Sequence, residues 1–199
     1  MTALADVDLV LASTSRYRRE LLARLTPNFR CVAPDVDETP LAHESPAALA
    51  DRLAIAKARA VAAKNPGAIV IGSDQAADLD GCVIGKPGTV ENACAQLAAC
   101  SGRMVVFHAG ICLIDARSAK PLIASARDTT RVHFRELGTN EIARYVEREC
   151  PLDCAGSFKC EGLGIALFER IESTDPTALI GLPLIALCKL LRELGIAIA

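Results

Sequence analysis

The sequence predicts an α/β domain built on a mixed β-sheet, and three observations carry that prediction. Short apolar, strand-like runs alternate with longer segments of helical period along the 199 residues. Half of the residues are apolar (51%), enough to bury a sizeable core. Two long extended segments, Val105–Ile114 and Leu122–Phe134, flank a turn near Asp115–Lys120 and read as an antiparallel hairpin. That hairpin argues against a purely parallel, doubly wound sheet. No internal repeat or low-complexity linker divides the chain, so residues 1–199 are read as one domain.

Each element has a local reason. Asp8–Ala12 is a buried strand, followed by a hydroxyl-rich turn and a helix to about Leu25. Phe29–Val32 is a second short strand, leading into the acidic loop Pro34–Pro40. Ser45 caps a long helix that has Pro46 at its first position and stops at Asn65-Pro66-Gly67. Ala68–Gly72 is wholly apolar and so central in the sheet, and it is expected to end at Ser73-Asp74-Gln75. Asp78–Gly81 has the composition of a hairpin turn, and Gly85–Gly88 is a second tight turn. Thr89 opens a helix to about Cys100, Thr139 caps another to about Glu149, Ile165–Ile171 is a late strand, and Pro183–Leu194 is a closing amphipathic helix.

Bulk properties narrow the function. The formal net charge is −2, with no basic tail, which argues against nucleic acid as a partner. Nine cysteines without a C-x-x-C pair, and three dispersed histidines, do not have zinc-ligand spacing. They read as reduced, mostly buried thiols of a cytoplasmic protein. Neither a signal peptide nor an apolar run of membrane-spanning length is evident.

The first strand-to-helix turn is the most informative stretch. Ser13, Thr14 and Ser15 precede a helix whose first turn holds Arg16, Arg18 and Arg19. Cations there oppose the helix macrodipole by about 0.3–1 kcal/mol each. Free N–H groups, hydroxyls and guanidinium groups converging at one turn describe a phosphate site, with Ser13, Ser15, Arg18 and Arg19 as candidates and only one or two of the three arginines expected to reach a ligand. Asp37 and Glu38 follow a strand, and Asp74 lies at the expected end of the central one, where ligands of open α/β sheets bind. Lys57 is a lone cation among small apolar residues, and Lys86 is fixed between Gly85 and Pro87. Several cations with two or three carboxylates, and no nucleophilic triad, suit a metal-bound polyphosphate attacked by water.

These residues also carry a family resemblance. Ala12-Ser13-Thr14-Ser15-x-x-Arg18 followed by Glu20-Leu21-Leu22 resembles the opening signature of Maf proteins. So do Val36–Thr39, Leu53-Ala54-x-x-Lys57-Ala58, Gly72–Gln75, Gly85-Lys86-Pro87, Glu161-Gly162 and Ile180–Leu184, in the same order along nearly the whole chain. The resemblance implies an elongated mixed sheet with flanking helices and a central cleft between two lobes, of the Maf/ITPase-like kind. It implies hydrolysis of a nucleoside triphosphate to the monophosphate and diphosphate, with a divalent cation, Mg or Mn, held by Glu38 and Asp74. Asp74 takes the catalytic position, and Ser13, Arg18, Lys57 and Lys86 the phosphate-binding ones, which leaves Arg16 and Arg19 peripheral. A homodimer is possible by the same analogy.

Three positions depart from the common Maf pattern: Tyr17, Gln75 and Glu161. Together they resemble the branch that hydrolyses 7-methyl-GTP. Physical chemistry points the same way. The N7-methylated guanine ring is cationic, and an aromatic face such as Tyr17 favours it by about 0.5–2 kcal/mol. A carboxylate such as Glu161 accepts hydrogen bonds from guanine N1–H and the exocyclic amine. Arg16 replaces the proline usual at its position. The alternatives are a dTTP/UTP pyrophosphatase of the common form, or a nucleotide-binding regulator of cell division without turnover.

Overall fold

The computed structural model describes residues 2–198. Its elements are β1 (Thr2–Ala3), β2 (Leu9–Ala12), α1 (Arg16–Leu22), β3 (Arg30–Cys31), α2 (Pro46–Ala62), β4 (Ile69–Leu79) and β5 (Cys82–Ile84). They continue with α3 (Val90–Cys100), β6 (Met104–Asp115), β7 (Leu122–Phe134), α4 (Thr139–Glu149), β8 (Phe168–Glu172), α5 (Leu184–Glu193) and β9 (Ile196–Ala197). A seven-stranded sheet runs β3-β2-β4-β6-β7-β8, with β5 also paired to β4. β2 lies parallel to β3 and β4, and every other pair in this sheet is antiparallel. The mixed sheet expected from the long hairpin is therefore present, and β4 is its central strand.

Helix α2 covers one face of the sheet. Its buried positions are Pro46, Leu49, Ala50, Leu53, Ala54, Lys57, Ala58 and Val61, a stripe of helical period in which Lys57 is the single charge. The small residues let the helix sit directly on the strands. A Cβ at Gly72 would overlap the carbonyl oxygen of Ala54 and lie 2.6 Å from Ala58 N, and one at Gly110 would lie 2.6 Å from Ala50 O. Glycine at both positions is the condition for this close approach.

The opposite face carries two separate cores. One gathers Leu9, Leu11, Ile69, Ile71, Ile111 and Leu113 with Leu21 and Leu22 of α1 and Leu187, Leu190 and Leu191 of α5. The other gathers Ala77, Leu79, Phe107 and Val132 with Leu97 of α3 and Tyr145 and Val146 of α4. The boundary between them falls near the middle of β4, and the cleft opens there.

Four local expectations change. β4 does not end at Gly72 but runs on to Leu79, because it keeps its antiparallel partner β6 over that length. Gly138, not Thr139, is the N-cap of α4. Leu163–Leu167 is 3-10 helix, and extended structure begins only at Phe168. The cysteines are all free, yet only Cys100 and Cys112 are buried. The Asp78–Gly81 hairpin forms as expected, with positive φ at both Asp80 (52°) and Gly81 (85°), the type I′ geometry. Among the described residues no helix is long and apolar enough to cross a membrane.

Candidate active site

The cleft begins as an interruption in strand pairing. On one edge β4 pairs with β2 from Ile69 to Gly72 and with β5 from Ala77 to Leu79. Between these stretches, Ser73, Asp74, Gln75 and Ala76 pair only with β6. β2 ends at Ala12, and the turn Ser13–Ser15 swings away into α1. The open edge and the end of the parallel strand thus face a common space, a cavity of about 760 Å³. Ser13, Tyr17, Arg18, Glu38, Lys57, Asp74, Gln75, Lys86 and Glu161 all line it. Asp74 stands in mid-strand rather than at a strand end, and it reaches the cavity because β4 lacks a neighbour there on one edge.

Alternation along β4 divides the open stretch between the two faces of the sheet. Asp74 points to the α2 side, where it meets Lys57. The Lys57 ammonium is buried and donates to Asp74 Oδ1 at 2.6 Å, with Glu38 Oε1 at 2.7 Å. The amphipathic stripe of α2 forces this lysine inward, and two carboxylates meet its charge. An ammonium has three donors, so one N–H remains for a ligand. Asp74 Oδ2 and Glu38 Oε2 take no hydrogen bond from the described residues.

Ser73 and Gln75 point to the other side, and both are tied to the turn before α5. Ser73 Oγ lies 2.9 Å from Gly110 O and 3.1 Å from Gly181 O, so its one hydrogen is shared. Gln75 Nε2 donates to Ala178 O at 2.9 Å and Leu179 O at 3.0 Å. Gly181 O also accepts from Arg18 Nε at 2.9 Å. The turn needs glycine at 181, where φ is 128°. Crowding by protein lowers the proton affinity of Arg18, Asp74 and Glu38 counter it, and a guanidinium keeps its proton throughout.

Local capping presents the phosphate-type groups. Ser15 is the N-cap of α1 and accepts from Arg18 N–H at 3.4 Å. Ser13 Oγ accepts from Ser15 N–H at 3.1 Å, and Ser13 itself is buried. Lys86 is exposed on the facing wall. Arg16 is not peripheral as expected. It lines the cavity, its guanidinium carbon sits 4.6 Å from the centroid of the Tyr17 ring, and its NH2 group donates to Tyr17 Oη at 2.7 Å.

Tyr17 Oη also accepts from Cys154 Sγ at 3.7 Å. Burial pushes the Tyr17 phenol up to about 12 against the opposing pull of Arg16. Burial likewise raises the cleft thiols, Cys154 to about 11 and Cys160 to about 12. Both stay protonated near neutral pH and offer no thiolate nucleophile.

A divalent cation can be tested against this donor set. Among the described residues no group of three or more His, Cys, Asp or Glu side chains is placed to hold a metal. Asp74 and Glu38 offer two carboxylates whose combined charge is halved by Lys57. That set does not make an all-protein cage. It fits a Mg²⁺-like ion that arrives on a triphosphate, bound through one or two carboxylates and otherwise by phosphate oxygens and water.

The sequence reading missed the backbone acceptors Ala178 O, Leu179 O and Gly181 O, because a carbonyl leaves no mark in residue identity. It also missed Asp153, Cys154 and Phe158 as cleft lining. The Gly-x-Pro stretch after Ile180 was the available signal for a constrained turn.

Fold and site define an α/β protein with a cation- and carboxylate-lined cleft at the interrupted edge of a mixed sheet. The chain belongs to the Maf family: the family described as Maf-like protein matches residues 8–194. A protein of Xanthomonas oryzae pv. oryzae named 7-methyl-GTP pyrophosphatase is 59% identical over 187 residues, covering 94% of this chain and 96% of that one. Proteins of the same name from Burkholderia thailandensis and Aromatoleum aromaticum are 57% and 54% identical, each over 94% of this chain and over 87% and 96% of theirs. The solved structure of the Staphylococcus aureus Ham1 protein aligns at 18% identity and a TM-score of 0.45, over 77% of this chain and 88% of that one.

Proposed function

We propose that this protein is a nucleoside triphosphate pyrophosphatase that hydrolyses 7-methyl-GTP to 7-methyl-GMP and diphosphate. The observation that carries this reading is the meeting, in one cavity, of the Lys57–Asp74–Glu38 cluster with Tyr17 and Glu161. The first group suits triphosphate chemistry and the second a cationic purine. The relatives named for this activity, at 54–59% identity, support the same substrate.

Water supplies the oxygen that bonds to the α-phosphorus, the bond from that phosphorus to the α–β bridging oxygen breaks, and diphosphate leaves. Asp74 is the group that positions this water and takes its proton, through the oxygen that Lys57 leaves free. Lys57 holds Asp74 and Glu38 in place and turns its remaining N–H toward a phosphate oxygen. Arg18, Ser13 and Lys86 bind the phosphates, and the fixed guanidinium of Arg18 opposes the charge that builds on them. Asp74 and Glu38 would hold a divalent cation, Mg or Mn, which supplies Lewis-acid stabilisation of the phosphoryl oxygens.

Base selection rests on Glu161, Gln75 and Tyr17, which line the same cavity. Glu161 accepts from the N–H groups of the guanine edge, and its charge complements the methylated ring. Gln75 has both amide hydrogens engaged by Ala178 and Leu179, so it offers the base only its Oε1 acceptor. Tyr17 already holds a planar, delocalised cation, the Arg16 guanidinium. A cationic purine belongs to the same class of ligand, and Arg16 moves aside when the base stacks there.

A panel of 7-methyl-GTP, GTP, dTTP and UTP with Mg²⁺ or Mn²⁺, read by diphosphate release, tests the proposal. The highest kcat/KM is expected for 7-methyl-GTP. Preference for dTTP or UTP would reassign the substrate, and tight binding without turnover would leave a nucleotide-binding protein.

A further inference from the structure

Asp175 is buried to 1% exposure, more deeply than Asp74 or Lys57, and lies outside the catalytic cavity. A carboxylate so enclosed needs a strong reason to remain. Among the described residues it has no cationic partner; its oxygens are met by neutral donors on both sides of one turn. Oδ1 accepts from Thr177 N–H at 2.9 Å and from Thr177 Oγ1 at 2.6 Å. Oδ2 accepts from Ile185 N–H at 2.6 Å, in the first turn of α5, where the helix dipole favours an anion. Thr177 Oγ1 in turn accepts from Leu184 N–H at 2.9 Å.

The turn enclosed by these bonds is the one that holds the open half of β4. Within it, Ile180 N–H and Gly181 N–H fold back onto Thr177 O at 3.2 and 3.3 Å. This aims the carbonyls of Ala178, Leu179 and Gly181 at Gln75, Ser73 and Arg18. Just upstream, the segment is fastened to β7 by Ser173 on Thr130 at 2.9 Å and by Thr174 on Asp128 at 2.5 Å. The two residues flanking Asp74, and the Arg18 guanidinium bonded into the turn, therefore all depend on where the turn lies.

We infer that Asp175 is a positioning residue for the reaction, a latch that ties the turn Thr177–Gly181 to α5 and through its carbonyls sets Arg18 and the Ser73–Gln75 stretch. This rests on the assignment of Arg18 and Asp74 to the chemistry, not on the identity of the base. A displacement of about 1 Å in such a group reduces rate by as much as a hundredfold, so loss of the latch appears in turnover.

The test uses the full-length protein and whichever nucleoside triphosphate it hydrolyses fastest, so that a wrong choice of base does not affect the result. Rates are read well below each variant's thermal midpoint. Asp175→Asn is expected to lower kcat by about tenfold or more, with KM changing by less than kcat does. Combined with Arg18→Lys, the losses should amount to less than their product, because both changes act on the same contact. Thr177→Val should reproduce part of the loss and Thr177→Ser should restore it, which keeps the question decidable if Asp175→Asn does not fold. A lowered thermal midpoint with kcat and KM within about twofold of the parent, or losses that multiply fully with Arg18→Lys, would overturn the assignment and leave Asp175 a purely structural cap.

Discussion

The two halves of β4 make different use of the same strand. Ile69–Gly72 is paired on both edges, and its apolar side chains are completely buried. Ser73–Ala76 is paired on one edge only, and polar residues stand where apolar ones would otherwise pack. The first half is held by hydrophobic burial and ladder hydrogen bonds, which do not depend on pH. The second keeps its ladder to β6 and is otherwise tied through its own side chains, to Lys57 (itself paired with Glu38) on one face and to the 178–181 carbonyls on the other. Stability and chemistry are thus separated by a few residues, and a missing strand neighbour converts a core element into a site.

Substitutions in the two halves should separate these contributions. The largest effect is expected at Asp74. Asp74→Asn should lower kcat on the order of 10²–10⁴-fold in protein that still folds; equal activity would remove Asp74 from the chemistry. At Gly72, only two residues away, the opposite pattern is expected. Gly72→Ala places a methyl group against the backbone of Ala54 and Ala58. It should destabilise by about 1–3 kcal/mol in denaturant unfolding, with activity following the folded fraction. If Gly72→Ala leaves stability unchanged, the close seating of α2 is wrong.

Selectivity comes next in size. Glu161→Gln should reduce the ratio of kcat/KM for 7-methyl-GTP over GTP by about tenfold, because both bases share the N–H donors and only the carboxylate charge favours the cationic ring. An unchanged ratio would remove Glu161 from base recognition.

The smallest effect concerns the loop that carries Glu38. Arg52 bonds Glu44 at 2.6 Å and Thr39 O at 3.0 Å, and this guanidinium holds the Glu44 carboxyl down at about 2. A folded-state value below the unfolded one gives stability that is complete above about pH 4.5 and lost as pH falls toward 2. Glu44→Gln should therefore lower the thermal midpoint slightly at pH 7 and converge on the parent as pH falls toward 2, which flattens the acid limb in that window. An acid limb as steep as that of the parent would show that the Glu44–Arg52 pair does not contribute there.

Much of this was legible in the sequence, for identifiable reasons. The apolar run Ala68–Gly72 marks the central strand, Ser45-Pro46 marks the start of α2, and Asp80-Gly81 marks a turn requiring positive φ. Nine candidate residues spread from Ser13 to Glu161 converge on one cavity. What was not legible depends on tertiary pairing. Ser73-Asp74-Gln75 looks like a strand end because its polar residues have lost one neighbour, and only β6 shows that the strand continues. The bonds of Lys57 to Asp74 and Glu38 cross separations no local pattern encodes. The Ala178, Leu179 and Gly181 contacts use carbonyls that any residue possesses. Arg16, set aside as peripheral, lies over Tyr17 because an exposed guanidinium and an adjacent aromatic ring attract each other.

On the proposed mechanism, water adds to the α-phosphorus in the space beside the open half of β4. Hydrolysis of 7-methyl-GTP in ¹⁸O-labelled water, with the products resolved by mass, tests it most directly. One labelled oxygen in 7-methyl-GMP, none in diphosphate, and loss of the reaction in Asp74→Asn are expected. Label in the diphosphate, or undiminished labelling of 7-methyl-GMP by Asp74→Asn, would contradict it.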